Sequence, residues 1–172
     1  MNRADTVHWI GQLIPGELDV AEDSATADLG DGQTVAVTLG FADVDTGLVS
    51  VDEGLDVRSE LVVVARAEAE TLRGVLRAAV EKLTKAGGIL PAQPGTMLPG
   101  LVETGSVEHA LFVPPYLWGG ETPRVTEEER LTVLLQLVML TDAEYAFAVE
   151  EGPGALQQAL GEAGIDLLDW HR

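Results

Sequence analysis

Few side chains in this sequence are able to do covalent or metal chemistry, and their spacing works against most reactions. Three histidines, His8, His109 and His171, stand near the start, inside an apolar segment and near the end, none with a second His at i+3 or i+4 to make a helical metal pair. The composite metal site these residues allow joins His109 to Glu108 and the run Glu127-Glu128-Glu129, which would suit a metal-dependent hydrolase as the alternative to a binding protein. Four serines are present, none in a Gly-x-Ser-x-Gly elbow, and there is no cysteine, so neither common hydrolase nucleophile has its usual setting. Gly95 to Gly100 has the glycine spacing of a phosphate loop. Leu101-Val102 stands where Lys and Ser/Thr must hold phosphate and magnesium, and Pro99 removes an N–H from the cradle. Asp43-Val44-Asp45-Thr46-Gly47 opens like a calcium loop, but Gly47 takes a ligand position and Gly54 replaces the bidentate Glu. No catalytic residue, metal ligand or cofactor is assigned.

Charge says more about partners. The chain has 172 residues, with 10 Lys+Arg against 29 Asp+Glu, a formal net charge of −19. Phosphate binding draws on Lys and Arg, so nucleic acid and anionic membranes are poor partners and a cationic protein is the natural complement. Five of the basic residues, Arg66, Arg73, Arg77, Lys82 and Lys85, lie on one predicted helix, where Arg77 and Glu81 form an i, i+4 pair, and the remaining chain carries 5 basic against 26 acidic residues. That ridge could meet the acidic body of a second copy in a homo-oligomer. Hydrophobic residues make up 46%, too many for disorder, and the longest apolar run, Leu131 to Leu140, is broken by Thr132 and Gln136 and too short to span a bilayer. A soluble, cytoplasmic protein is expected.

The elements that must position these residues follow from periodicity. Residues 1 to 33 form an acidic segment broken by Pro15-Gly16 and Gly30, in which Val7 to Ile14 suits a short helix or turn and whose order is left open. Thr34 to Leu39 alternates as a strand, and a second strand runs from about Val57 into the unbroken apolar stretch Leu61 to Ala65, which suggests burial on both faces. Glu68 to Lys85 repeats Leu72, Val75, Leu76, Ala79 and Leu83 on one helical stripe and ends at Gly87-Gly88. Val107 to Val113 and Leu131 to Leu140 read as strands, Pro123 to Arg130 as an acidic loop. Thr141-Asp142-Ala143-Glu144 is a capping box opening a helix to about Ala148, and Pro153 to Ala163 is a last helix stopped by Gly164. The class is α+β: a single domain, residues 34 to 172, with a mixed sheet packed by helices mainly on one side.

Several of these segments, in this order, resemble the suppressor of fused-like domain family. Leu39-Gly40-Phe41-Ala42-Asp43 resembles its turn after an early strand, Glu60-Leu61-Val62-Val63-Val64 the strand that follows, and His109-Ala110-Leu111-Phe112 a later strand opening on histidine. Leu131 to Val138, the Thr141 helix start, the glycine before the last helix and the closing Asp169-Trp170-His171-Arg172 resemble its C-terminal part. The resemblance implies a non-enzymatic α+β domain that binds other proteins. Animal members are similar proteins that grip an extended peptide of a transcription factor and carry a further domain, and short bacterial members look like immunity proteins against toxins. The acidic loop Asp52 to Asp56 is similar in place to one that animal members use.

Together these observations lead to an expected binding module. Its partner-binding candidates are Asp52, Glu53 and Asp56, the loop residues Glu127, Glu128 and Glu129, and two aromatic anchors, Tyr116 and Trp118, in the proline- and glycine-flanked stretch 114 to 120. The expected partner is a cationic protein such as a basic toxin.

Overall fold

The computed structural model describes residues 1–172. Helix α1 (Arg3–Leu13) starts at Asn2, whose side chain accepts the Asp5 N–H, and buries Thr6 and Ile10 one turn apart. Strands β1 (Asp19–Val20), β2 (Ser24–Gly30) and β3 (Gln33–Thr38) make an antiparallel meander. Asp31, with φ of 52°, and Gly32, at 72°, turn β2 into β3, where the Asp28 side chain accepts the Gly30 N–H at 2.7 Å. The segment left open by the sequence is therefore built from α1, β1 and β2.

Two long strands form the spine. β5 (Asp56–Ala65) and β9 (Arg130–Leu140) run parallel, with Asp56 opposite Arg130 and Val63 opposite Leu137, while every other pairing is antiparallel. The sheet order is β1-β2-β3-β5-β9-β7-β6, where β6 is Met97–Leu98 and β7 is His109–Val113. Both spine strands fork. β3 pairs with residues 62–65 of β5, and the short β4 (Leu48–Val49) with residues 56–57. β7 pairs with residues 136–140 of β9, and β8 (Arg124–Thr126) with residues 131–133. The stretch 123–130, expected as a loop, thus contains a hairpin strand. Three residues alternating in exposure were too few to show a period.

Side-chain alternation divides the core. Leu61, Val63 and Ala65 of β5 with Leu135, Leu137 and Met139 of β9 face α2 (Ala69–Ala86), which buries Leu72, Val75, Leu76, Ala79 and Leu83 against them. Gly87, at φ of 57°, closes α2 in the left-handed conformation. The opposite face carries the other three helices. Val62, Val64 and Leu134 pack with Ile10 and Ile14 of α1, and Val138 and Leu140 with α3 (Asp142–Glu151) and α4 (Pro153–Ala163). α3 runs three residues past the expected Ala148, to Glu151, before Gly152 breaks it. The C-terminal tail ties the layers together, because Leu167, Leu168 and Trp170 each join a different cluster. No helix is long and apolar enough to cross a membrane.

Candidate functional site

The segments that carry the family resemblance meet in pairs, and what they build is scaffold. Glu60 is fully buried, and its carboxylate accepts the Thr38 hydroxyl and the N–H groups of Gly40 (2.9 Å), Phe41 (3.1 Å) and Ala42 (3.3 Å). The Gly40-Phe41-Ala42 turn and the Glu60 strand are two halves of one cradle. Burial pushes the Glu60 carboxyl up, opposed by the hydroxyl and the three amides. In the same way the capping box at Thr141 and the terminal Arg172 meet: Arg172 bonds both carboxylate oxygens of Glu144 and the carbonyls of Asp169 and Met139.

His109 is the third of these joints, and it bears on the metal alternative. Its Nε2 lies 2.7 Å from Asp142 and 3.2 Å from Glu108, and the ring stacks on Tyr145 with centroids 4.2 Å apart. Glu108, His109 and Asp142 are close enough to surround an ion. The other ring nitrogen decides the matter. Nδ1 accepts the Gly100 N–H at 2.9 Å, so the neutral ring keeps its proton on Nε2 and donates it to Asp142. A metal on Nε2 would have to expel that proton and leave an imidazolate. The His109 N–H, helped by Glu108, holds the Asp142 carboxyl below its ordinary value. The composite site with Glu127 to Glu129 is corrected outright. Those residues precede β9 and His109 pairs with its last residue, Leu140, so about 30 Å of strand at ~3.3 Å per residue separates them.

The basic ridge is corrected as well. Arg73 is buried, not displayed, and its guanidinium reaches Ser24, Asp19 and Thr26 on β1 and β2. Arg66 pairs with Asp166, Arg77 with Asp23 and Glu70, Lys85 with Glu81, and Lys82 bonds the Pro99 carbonyl. The i, i+4 pair on α2 is thus Glu81 with Lys85, because Arg77 turns toward β2. Every cation of the ridge thus has an acceptor within the chain.

The acidic candidates fare differently. The loop of Asp52, Glu53 and Asp56 leads into β5, and Glu127, Glu128 and Glu129 lead into β9, so the parallel pairing of these strands brings both loops to one end of the sheet. Asp56 donates its N–H to the Glu129 carbonyl at 3.1 Å. Some of this charge is already matched: Asp56 pairs with Arg58, Glu53 with Arg124, and Glu127 with the amino terminus of Met1. Asp52, Glu128 and Glu129 have no cation within ion-pair distance in the chain. Beside them lies an apolar hollow of about 270 Å³ that includes Leu48, Val49, Val57, Pro114 and Val133, and Val51 is 98% exposed.

The two aromatic candidates do not join this end. Trp118 turns inward, packing on the α1 cluster and donating its indole N–H to the Leu13 carbonyl at 3.2 Å. Tyr116 is half-exposed over a different depression, where its N–H donates to the side-chain oxygen of Gln136. Gln136 went unremarked as a site residue, although a lone amide in the middle of an apolar strand is the kind of signal that marks one.

Comparison with known proteins agrees with this architecture. Residues 17–172 match the family described as Suppressor of fused protein (SUFU). The crystal structure of a protein described as a SUFU homolog from Neisseria gonorrhoeae FA 1090 superimposes with a TM-score of 0.66 at 18% identity, covering 99% of this chain and 94% of that one. A Sufu–Fu complex structure gives 0.55 at 13% identity over 93% of this chain and 74% of that one. No curated protein sequence matches the chain. At these identities the structures show a shared fold, and the family match over most of the length shows the kinship: the chain belongs to the suppressor of fused family.

Proposed function

We propose that the chain is a non-enzymatic protein-binding module whose partner surface is the end of the sheet where β5 and β9 begin. The observation that carries this reading is the convergence of two acidic loops, about seventy residues apart in sequence, on adjacent parallel strands, next to an exposed apolar hollow. Asp52, Glu128 and Glu129 supply uncompensated charge that speeds and selects the encounter with a cationic protein. Val49, Val51 and the hollow supply the apolar contact that slows release. A relative has been solved as a complex with Fu, which is consistent with a binding role for the fold. The finer form of the proposal is an immunity-type protein that neutralises a basic toxin in the cytoplasm, a partner whose charge would complement the −19 of this chain.

The test is the Asp52→Lys, Glu53→Lys, Asp56→Lys triple variant, assayed for association rate against a partner recovered by affinity purification. A drop of about tenfold or more at low salt, shrinking as salt rises, is expected for steered association. Equal association rates for variant and parent at every salt concentration would overturn the reading.

A further inference from the structure

The acidic turn Glu127-Glu128-Glu129 is the tip of the β8–β9 hairpin, so β8 borders the end of the sheet where both acidic loops meet. β8 is held lightly. Its three residues pair with Leu131, Thr132 and Val133 of β9, Arg124 and Thr126 are exposed, and none of the three joins a hydrophobic cluster. Beyond the ladder its one side-chain tie is Arg124, whose guanidinium lies 3.9 Å from Glu53 in the facing acidic loop. These side chains are 61% and 40% exposed, so the pair is a weak latch.

One buried group works against the paired position. Thr132 is 0% exposed, and its hydroxyl is the one sealed side-chain polar atom of the chain without a hydrogen-bond partner. Val125 of β8 stands directly opposite Thr132 and Arg58 of β5 beside it, so the neighbour on the β8 side is aliphatic. A sealed hydroxyl without a partner costs free energy, and departure of β8 would let water answer it. The chain on either side permits that departure. Trp118 is anchored on the α1 cluster and by the Leu13 carbonyl, after which Gly119 and Gly120, at φ of 63° and 91°, lead toward β8. At the other end, the Glu127 N–H closes the turn on the Arg130 carbonyl at 2.8 Å.

We propose that β8 is a strap that opens from β9 while the rest of the fold stays closed, with the Thr132 hydroxyl weakening its seat and the Arg124–Glu53 pair latching it. Closed, the strap sets Arg124 against Glu53 and covers the edge of β9 at residues 131–133. Open, it takes away the only cation within ion-pair distance of Glu53, which then joins Asp52 as uncompensated charge. A cationic protein binding there therefore favours the open form, and opening favours its binding to the same degree. That last step rests on the function proposed for this end, whereas the opening itself does not.

Amide hydrogen exchange of the full chain tests the opening with no partner present. The β8 amides bonded to β9 should exchange about a hundredfold or more faster than those of residues 62–64, which lie in the middle of the sheet between β3 and β9. Thr132→Val keeps the shape of the side chain and removes the hydroxyl, so exchange in β8 should slow about tenfold, with a thermal midpoint at or above the parent. Arg124→Gln and Glu53→Gln should each quicken it about twofold, and the double variant no further, because both break the same latch. Protection of β8 equal to that of residues 62–64 would overturn the proposal. So would Thr132→Val slowing residues 62–64 but not β8, which would mean that the hydroxyl is relieved only when the whole fold opens. Additive effects of the two latch variants would remove Arg124–Glu53 from the device. Association rates unmoved by the Asp52, Glu53, Asp56 triple variant would sink the function proposed for this end and leave these exchange rates as they stand.

Discussion

Arg172 closes the fold by holding both carboxylate oxygens of Glu144, one through Nε at 2.9 Å and one through Nη2 at 2.8 Å. Both side chains are mostly buried, and Nη2 also donates to the Met139 carbonyl at 2.7 Å. The clamp therefore joins the chain end, the end of β9 and the first turn of α3, and Glu144 simultaneously accepts the Thr141 N–H. The fork geometry of a guanidinium is needed to meet this many acceptors at once.

Replacing Arg172 with Leu should cost about 3 kcal/mol at pH 7, because the Glu144 carboxylate loses its only cation in a largely buried place. Burial pushes the Glu144 carboxyl up, but Arg172 and the Thr141 N–H outweigh it and hold it below its ordinary 4.5. A folded-state value below the unfolded one gives stability that is present above about pH 4.5 and is lost as pH falls through the folded value. Urea unfolding of parent and variant should thus differ most at neutral pH and converge as the solution is acidified. A gap that does not narrow in acid would contradict the clamp's electrostatic role.

Glu60→Gln should be one of the most damaging isosteric changes in the chain. Four donors converge on that carboxylate, and a carboxamide would present its own NH₂ to some of them, leaving buried N–H groups unpaired at a cost of about 2–3 kcal/mol. Denaturation midpoints at constant m-value provide the measure. A variant within 0.5 kcal/mol of the parent, a margin of roughly the size of a neutral surface change, would mean that Glu60 is protonated in the fold and that the cradle does not hold an anion.

Apolar periodicity made the spine legible. β5, β9, α2 and the capping box at Thr141 lie where their patterns place them, since each buries enough residues to show a period. β1, β4 and β6 have two residues each, which no period can mark, and only their pairing with longer neighbours makes them strands. α1 stayed indistinct because an acidic, proline-broken segment buries only Thr6 and Ile10 fully. The acidic loops were visible as composition, but their meeting was not, because it depends on β5 and β9 being parallel neighbours. Arg73 misled for a related reason. A charge on a helix reads as solvent-facing unless the strand beside it is known to supply acceptors.

Arg73 supplies the next expectation. Its two terminal nitrogens reach the carbonyl and hydroxyl of Ser24, the carbonyl and carboxylate of Asp19 and the Thr26 hydroxyl. Lysine keeps the charge but concentrates it at one point on a stem that cannot span five acceptors, so Arg73→Lys should cost about 2 kcal/mol and loosen β1 and β2 from α2. Amide hydrogen exchange in residues 19–28 is the specific readout. Protection there equal to that of the parent, with only global stability altered, would show that the guanidinium does not anchor this edge.

His109 tests the metal alternative directly. With Nδ1 occupied by the Gly100 N–H and the Nε2 proton given to Asp142, the ring is a neutral donor locked in one tautomer. Imidazole ¹⁵N shifts should report the Nε2–H tautomer. Zinc or manganese added in modest excess should leave the thermal midpoint unchanged, since an ion bound only by the native state would raise it by mass action. His109→Gln should keep much of the stability, because its amide can still donate toward Asp142, whereas His109→Ala should unfasten α3 from β7 and cost roughly 2 kcal/mol through the lost bond and the lost stacking on Tyr145. A metal-dependent rise in midpoint that disappears in both variants would reverse the assignment and restore the carboxylate–histidine cluster as a metal centre.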